Sequence, residues 1–280
     1  MKAPGFRGEK ILDLESATME KQTVKISVRN LVEFILREGD IDNRSSAAPD
    51  KEAMQLGSKI HRKIQRQMGS DYHAEVSLKM VVPCEGFDLQ VEGRADGIIE
   101  ETDGVVIDEI KGVLRELKGI EMPLAVHLAQ VKCYAYIYGT QHELKKISVQ
   151  MTYCQMETEE IKRFRDEFTV DDLEDWFLEV VVLYEKWAKF ELAWKMARTE
   201  SIRRIEFPFG YRHGQKDLVT SVYRTIARKK KLFIQAPTGV GKTIATVFPA
   251  VKAMGEGLGE KIFYLTAKTI TRTAAAQAFN

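Results

Sequence analysis

The chain has 280 residues, 44% of them hydrophobic and 30% charged, with a formal net charge of +1. These values suit a globular protein of one large or two modest domains and exclude a disordered chain or a uniformly basic surface. Cys84, Cys133 and Cys154 show no C-x-x-C spacing, which argues against a disulfide framework or a zinc site and fits a reducing cytoplasm. No apolar run has the length of a signal-peptide core or a membrane span.

Residues 1–22 are mixed and polar and read as a loose tail. Thr23 to Gly39 has helical character, with an apolar run at Leu31, Val32, Phe34, Ile35 and Leu36 and Ser27 able to cap its start. After a loop from Ile41 to Lys51, the spacing of Leu56, Ile60 and Ile64 predicts a helix over Glu52 to Met68. Tyr72 to Val82, Phe87 to Glu100 and Val105 to Ile110 read as strands. A helix is expected from Pro123 to Gly139, with Leu124, Leu128, Val131 and Ala135 on one stripe, then a strand from Ile147 to Gln155. Asp171 to about Arg198 reads as a long amphipathic helix. Beyond a boundary near Ser201 an α/β pattern is expected. It holds a loop at Phe207 to Gly210, a helix to about Lys229, a buried strand at Leu232 to Gln235, a helix from Thr243 and a strand at Lys261 to Thr266.

The stretch "GRADGIIEETDGVVIDEIKG" carries the chemistry of the first part. With Asp103 and Gly104 as the two central turn residues, opposed positions sum to 207. Asp96 then faces Lys111 and Ile98 faces Glu109. Asp96, Glu109 and Lys111 project from one side within about 5–8 Å of each other, and Asp108 points away and is expected to tolerate replacement better. Two carboxylates so close repel unless a cation lies between them. A Mg²⁺ or Mn²⁺ ion answers that need and would activate a water for attack on a phosphate. The same pattern also fits a cross-strand salt bridge on a solvated face. On the preceding helix His61 follows Gly57 by four residues, and on the following helix Gln130 and Tyr134 share a face.

In that order, G-x-x-x-H, G-x-x-D, D-E-x-K and Q-x-x-x-Y resemble the RecB-type nuclease branch of the PD-(D/E)xK superfamily, across Ser27 to Gln155. The resemblance implies a restriction-endonuclease-like α/β nuclease domain over 23–200. It also implies metal ligation by His61, Asp96 and Glu109, catalysis by Lys111, and support of the DNA-bound site by Gln130 and Tyr134. Ala95 stands where the superfamily name has Pro. The cysteines do not match the four-cysteine iron–sulfur layout of many relatives, so no cluster is expected in this domain, and Cys133 and Cys154 are expected to pack as small apolar residues.

"FIQAPTGVGKT" is a phosphate-loop pattern with Ala236 in place of the first glycine. Thr238, Gly239, Val240 and Gly241 would wrap a phosphate with backbone amides, Lys242 would reach the β/γ-phosphates, and Thr243 would ligate Mg²⁺. Upstream, "FPFGYRHGQ" resembles the adenine-recognition segment of XPD/DinG-type superfamily 2 helicases, with Arg212 and Gln215 at its polar positions. Downstream, Thr266, Lys268 and Thr269 resemble the family's strand-contacting motif, whereas Arg228 to Lys231 reads as a basic helix end. These resemblances imply that residues 201–280 begin a P-loop (RecA-like) helicase lobe, so the chain is expected to be an N-terminal fragment of an ATP-dependent nuclease–helicase. That protein would act in DNA repair in the cytoplasm, take ATP and Mg²⁺, hold an iron–sulfur cluster only further along, and bind single-stranded DNA or DNA with single-stranded ends. The alternatives are a DNA-binding module that keeps the nuclease fold without cutting, and a plain ATP-binding regulator.

Overall fold

A computed structural model describes residues 21–37, 51–237, 239–267, 272–273 and 276–277, with backbone only for 51–54. Two compact units divide between Lys186 and Trp187, earlier than the boundary expected near Ser201.

The first unit is mixed α/β. Its order is β1 (Gln22–Ser27), α1 (Val28–Ile35), α2 (Lys51–Gln67), β2 (Tyr72–Pro83), β3 (Phe87–Glu101) and β4 (Gly104–Val113). A 3-10 turn (Leu117–Gly119), α3 (Ala125–Gln141), β5 (Lys146–Gln155), β6 (Ile161–Thr169) and the start of α4 (Val170–Arg204) follow. The helix expected from Thr23 is corrected at its start, because residues 22–27 form β1, parallel to β3. Ser27 does cap α1, its Oγ accepting from the Asn30 amide at 3.1 Å. The polar β6 carries no clear apolar alternation and was not anticipated.

The six described strands form one mixed sheet in the order β1-β3-β4-β5-β6, with β2 on β3. Ile110 and Cys154 face α2, where they pack with Ile60 and Ile64. Lys111 faces α3 and reaches Gln130. Since alternate strand residues point to opposite faces, α2 and α3 cover opposite sides of the sheet. Cys133 and Cys154 are both buried, the latter in the α2 cluster.

β3 positions the site. β2 pairs along it from Asp88 to Ile99. β1 takes Phe87 to Glu92, and β4 takes Gly97 to Glu101. A strand has two edges, so β1 and β4 share the second one, and Gly93, Arg94, Ala95 and Asp96 lie between them without a ladder partner there.

The second unit contains the rest of α4, α5 (Gln215–Ala227) and α6 (Lys242–Gly255). The two strands expected at Leu232 to Gln235 and Lys261 to Thr266 are corrected: neither segment is a strand. Phe233, Phe263 and Leu265 are more than four-fifths exposed rather than buried. A strand of this composition forms only when neighbours supply ladder hydrogen bonds and cover both faces, and among the described residues neither segment has such neighbours. No described helix is long and apolar enough to cross a membrane.

Candidate active site

The β3–β4 register differs from the expected one in an instructive way. Glu101 pairs with Gly104 and Gly97 with Asp108, so opposed positions sum to 205 and the turn centres on Thr102–Asp103. Ile98 therefore faces Ile107 rather than Glu109. The sum shifts by two, and a shift of two preserves parity. Asp96, Glu109 and Lys111 stay on one side, and Gly97 and Asp108 on the other.

The ladder stops at Gly97–Asp108. Beyond it the Ile110 amide donates to Asp96 Oδ2 at 2.8 Å instead of to a backbone carbonyl. On the β2 side Glu75 is the one residue within the ladder that lacks a β3 partner, and its φ of 59° lies in the left-handed region. Gln65 of α2 fills that gap, donating from Nε2 to the Asp96 carbonyl at 2.9 Å and to Glu75 Oε1 at 3.2 Å. Asp96 is thus held by side-chain bonds on both flanks. This opening in the sheet lets His61, from the α2 side, bring Nδ1 to 3.3 Å from Asp96 Oδ1. Burial works to lower the His61 pKa, but the hydrogen bond and charge of Asp96, with Glu109 behind it, outweigh burial and raise it.

Glu109 is 2% exposed. Its Oε1 accepts from Lys111 Nζ and from Gln130 Nε2, each at 2.7 Å, and Lys111 Nζ also donates to Gln130 Oε1 at 3.1 Å. Its Oε2 is buried with no hydrogen-bond partner among the described residues. Burial and the nearby Asp96 charge push the Glu109 pKa up to about 8 against the pull of Lys111. Tyr134 lies against Gly93, where an added Cβ would stand 2.6 Å from its Oη. Thus the glycine of G-x-x-D and the tyrosine of Q-x-x-x-Y meet because that glycine has no side chain.

The motif resemblance implied a site of His61, Asp96, Glu109, Lys111, Gln130 and Tyr134, and the folded chain places these residues around one opening. They do not form a ready cage: among the described residues no three His, Cys, Asp or Glu side chains converge as a metal-binding group. Mutual repulsion of the two carboxylates opposes such convergence when no cation lies between them. The donor set still fits a hard divalent ion, which needs only a few carboxylates and waters. The orphaned Glu109 Oε2 supplies a buried oxygen without a proton donor. Gln65 escaped the sequence reading, although it lies four residues after His61 on the same helical face.

Asp108 requires a correction. It points away from Glu109 as expected, yet it is fully buried and accepts from Thr152 Oγ1 at 2.6 Å, Gln150 Nε2 at 3.0 Å and Tyr72 Oη at 3.2 Å. Burial raises its pKa against those three donors. Facing away from the site here means facing the sheet interior, so replacement is not mild.

In the second unit, Thr238, Lys268 and Thr269 lie outside the described residues. Gly239 and Gly241 adopt φ of 87° and 72°, and α6 starts at Lys242 with Thr243 in its first turn and Val240 in the preceding loop. Lys242 Nζ folds back on the carbonyls of Ala236 and Pro237 at 3.0 and 2.7 Å. Gln215 is buried, accepts from the Arg212 amide at 3.0 Å and lies under Gly241, where a Cβ would meet its Nε2 at 2.5 Å. Arg212 also donates to the Gly239 carbonyl. The two sequence motifs therefore meet in space.

No protein-family model and no curated protein matches the chain. Among solved structures, one reported as SSO0001 is similar over 59% of this chain and 75% of its own, at 19% identity and a TM-score of 0.42. LHK-Exo, an alkaline exonuclease from Laribacter hongkongensis, is similar over 62% of this chain and 93% of its own, at 16% identity and a TM-score of 0.36. The same exonuclease in complex with dAMP is similar over 59% and 94%, at 16% identity and a TM-score of 0.36.

Proposed function

We infer that the first unit is a metal-dependent nuclease acting on DNA. The observation that carries this reading is the buried, unpartnered Glu109 Oε2 on the same side of the sheet as Asp96, with the Lys111 ammonium 2.7 Å from the other oxygen of the same carboxylate. The motif order supports it. Asp96 and Glu109, with His61 beside them, would hold Mg²⁺ or Mn²⁺. When bound, such an ion lowers the pKa of a coordinated water and neutralises charge on a phosphate. Gln130 fixes Lys111, whose remaining N–H would donate to the scissile phosphate as its charge grows. Tyr134, packed on Gly93, holds α3 against β3.

The test uses the whole chain, a labelled single-stranded oligonucleotide and Mg²⁺ or Mn²⁺. Lys111→Ala is expected to lower the cutting rate about a hundredfold or more while the chain stays folded. Wild-type cutting by that variant refutes the reading. DNA binding that is indifferent to EDTA, with no cutting, points instead to a non-cleaving DNA-binding module.

For the second unit we infer a nucleotide-phosphate site at Gly239 to Thr243, with Lys242 exchanging loop carbonyls for phosphate and Gln215 and Arg212 bracing the loop. A rise in thermal midpoint with Mg-ATP that disappears in Lys242→Ala supports it, and no shift in the wild type refutes it. Helicase action and an iron–sulfur cluster rest on the sequence resemblance alone.

A further inference from the structure

Beside the Glu109–Lys111 side of the sheet stands a histidine with no role so far. Lys111 of β4 and Tyr153 of β5 are register partners in a parallel pair, so their side chains rise next to each other toward α3. His127 stands on Tyr153, its Nδ1 3.0 Å from Tyr153 Oη. On α3 it precedes Gln130 by three residues and Tyr134 by seven, which puts all three on one helical face.

The hydrogen bonds fix which ring nitrogen carries the proton. Tyr153 Oη accepts from the Leu124 amide at 3.1 Å and has one proton to give. His127 Nδ1 is its acceptor, so the ring proton sits on Nε2. The reverse tautomer would leave the tyrosine hydroxyl proton without an acceptor among the described residues. Among the described residues His127 Nε2 has no hydrogen-bond partner. Burial, followed by the charges of Lys111, Arg115 and Arg29, lowers the pKa of the ring to about 4, against the opposing charge of Glu33. The ring is therefore neutral near pH 7 when no ligand is bound. Arg115 lies close enough to act electrostatically on both His127 and Tyr153.

We propose that His127 is a substrate-binding residue, a tautomer-locked neutral N–H donor that together with Arg115 seats a backbone phosphate of single-stranded DNA next to the one cleaved at Asp96 and Glu109. The identity of that second phosphate rests on the nuclease reading; the DNA-binding role does not require cutting. A neutral donor beside an arginine adds direction to a contact without adding charge. Tyr153 acts as a positioning residue that holds the tautomer.

The experiment is fluorescence anisotropy of a labelled single-stranded oligonucleotide with the full chain in EDTA, over a range of salt concentrations. His127→Ala is expected to weaken binding about tenfold, as the loss of one hydrogen bond to a charged group predicts. The slope of log affinity against log salt stays unchanged, because no cation is removed. Arg115→Ala is expected to flatten that slope by about 0.7. His127→Gln, which returns an N–H donor near the Nε2 position, is expected to recover most of the affinity, and Tyr153→Phe to lose part of it. Wild-type affinity in His127→Ala, a glutamine variant no better than alanine, or a wild-type chain that binds no DNA overturns the proposal. A wild-type chain that binds DNA but does not cut in Mg²⁺ or Mn²⁺ overturns only the nuclease reading.

Discussion

Asp108 and Glu109 are adjacent acids on opposite faces of β4, and their replacements are expected to affect stability very differently. Asp108→Ala removes the shared acceptor of Tyr72, Gln150 and Thr152. Gln150 Nε2 retains Thr152 Oγ1 at 3.4 Å, so about two donors are left without a good partner. Each buried donor left unsatisfied costs about 1–3 kcal/mol. Removing a buried carboxylate that burial already disfavours returns part of this. The net expectation is a loss of about 2–4 kcal/mol, a large share of a typical stability of about 5–15 kcal/mol. Asp108→Asn keeps shape and one acceptor oxygen and is expected to lose about 1 kcal/mol. Glu109→Gln keeps the acceptor used by Lys111 and Gln130 and puts a neutral amide where burial already holds the carboxyl protonated, so it is expected to leave stability about unchanged near neutral pH and raised above about pH 8, where the wild-type carboxylate is charged. Urea unfolding followed by circular dichroism, at equal m-values, reads all three. Asp108→Ala within about 0.5 kcal/mol of wild type refutes the reasoning, since that is the range of a surface change away from any such network.

Metal and pH are coupled through Glu109. Its folded pKa of about 8 lies above the ordinary value of 4.5, so the metal-free fold keeps a proton that the unfolded chain has lost. The contribution is complete below pH 4.5 and is lost as pH rises toward 8. An ion at this site must displace that proton, so the rise in thermal midpoint with Mg²⁺ is expected to be larger near pH 8 than near pH 6. Equal shifts at the two pH values, or the same pH dependence in Glu109→Gln, contradict this. Gly93→Ala would place a Cβ 2.6 Å from Tyr134 Oη and 2.9 Å from its Cε1, forcing the ring aside. A loss of about 1–3 kcal/mol is expected. In a double-mutant cycle most of it should vanish in a Tyr134→Ala background, and full additivity argues against the contact.

Much of the site was legible because it depends on parity and helical spacing. The turn centre was misplaced by one residue, yet Asp96, Glu109 and Lys111 kept their common face, since parity survives a shift of two in the register sum. Helical spacing put Gln130 and Tyr134 on one face, but their place in the site, and that of His61, came from the order of the motifs that resemble the RecB-type nucleases. What sequence could not show was tertiary. β1 forms over Gln22–Ser27 because the β-branched Thr23, Val24 and Ile26 meet a free edge of β3 there, and only the branching was visible in the sequence. Asp108 looked dispensable because alternation separates faces but does not tell which face is wet. Gln65 matters only because Glu75 leaves the ladder, a backbone event without a clear residue signature. Leu232 to Gln235 has strand composition but, among the described residues, not the neighbours a strand needs.

The amide of Ile110 spends its one bond on a carboxylate oxygen of Asp96. Most strand amides report on the sheet, but this one reports on the site. Any ligand that draws electron density from Asp96, or turns the carboxylate, must lengthen or polarise that single bond. The ¹⁵N–¹H resonance of Ile110 is therefore a native gauge of occupancy, readable without a substrate, an attached reporter group or a catalytic cycle. It lies on the backbone of the strand that also carries Glu109 and Lys111, so one residue can register the arrival of an ion from the middle of the sheet.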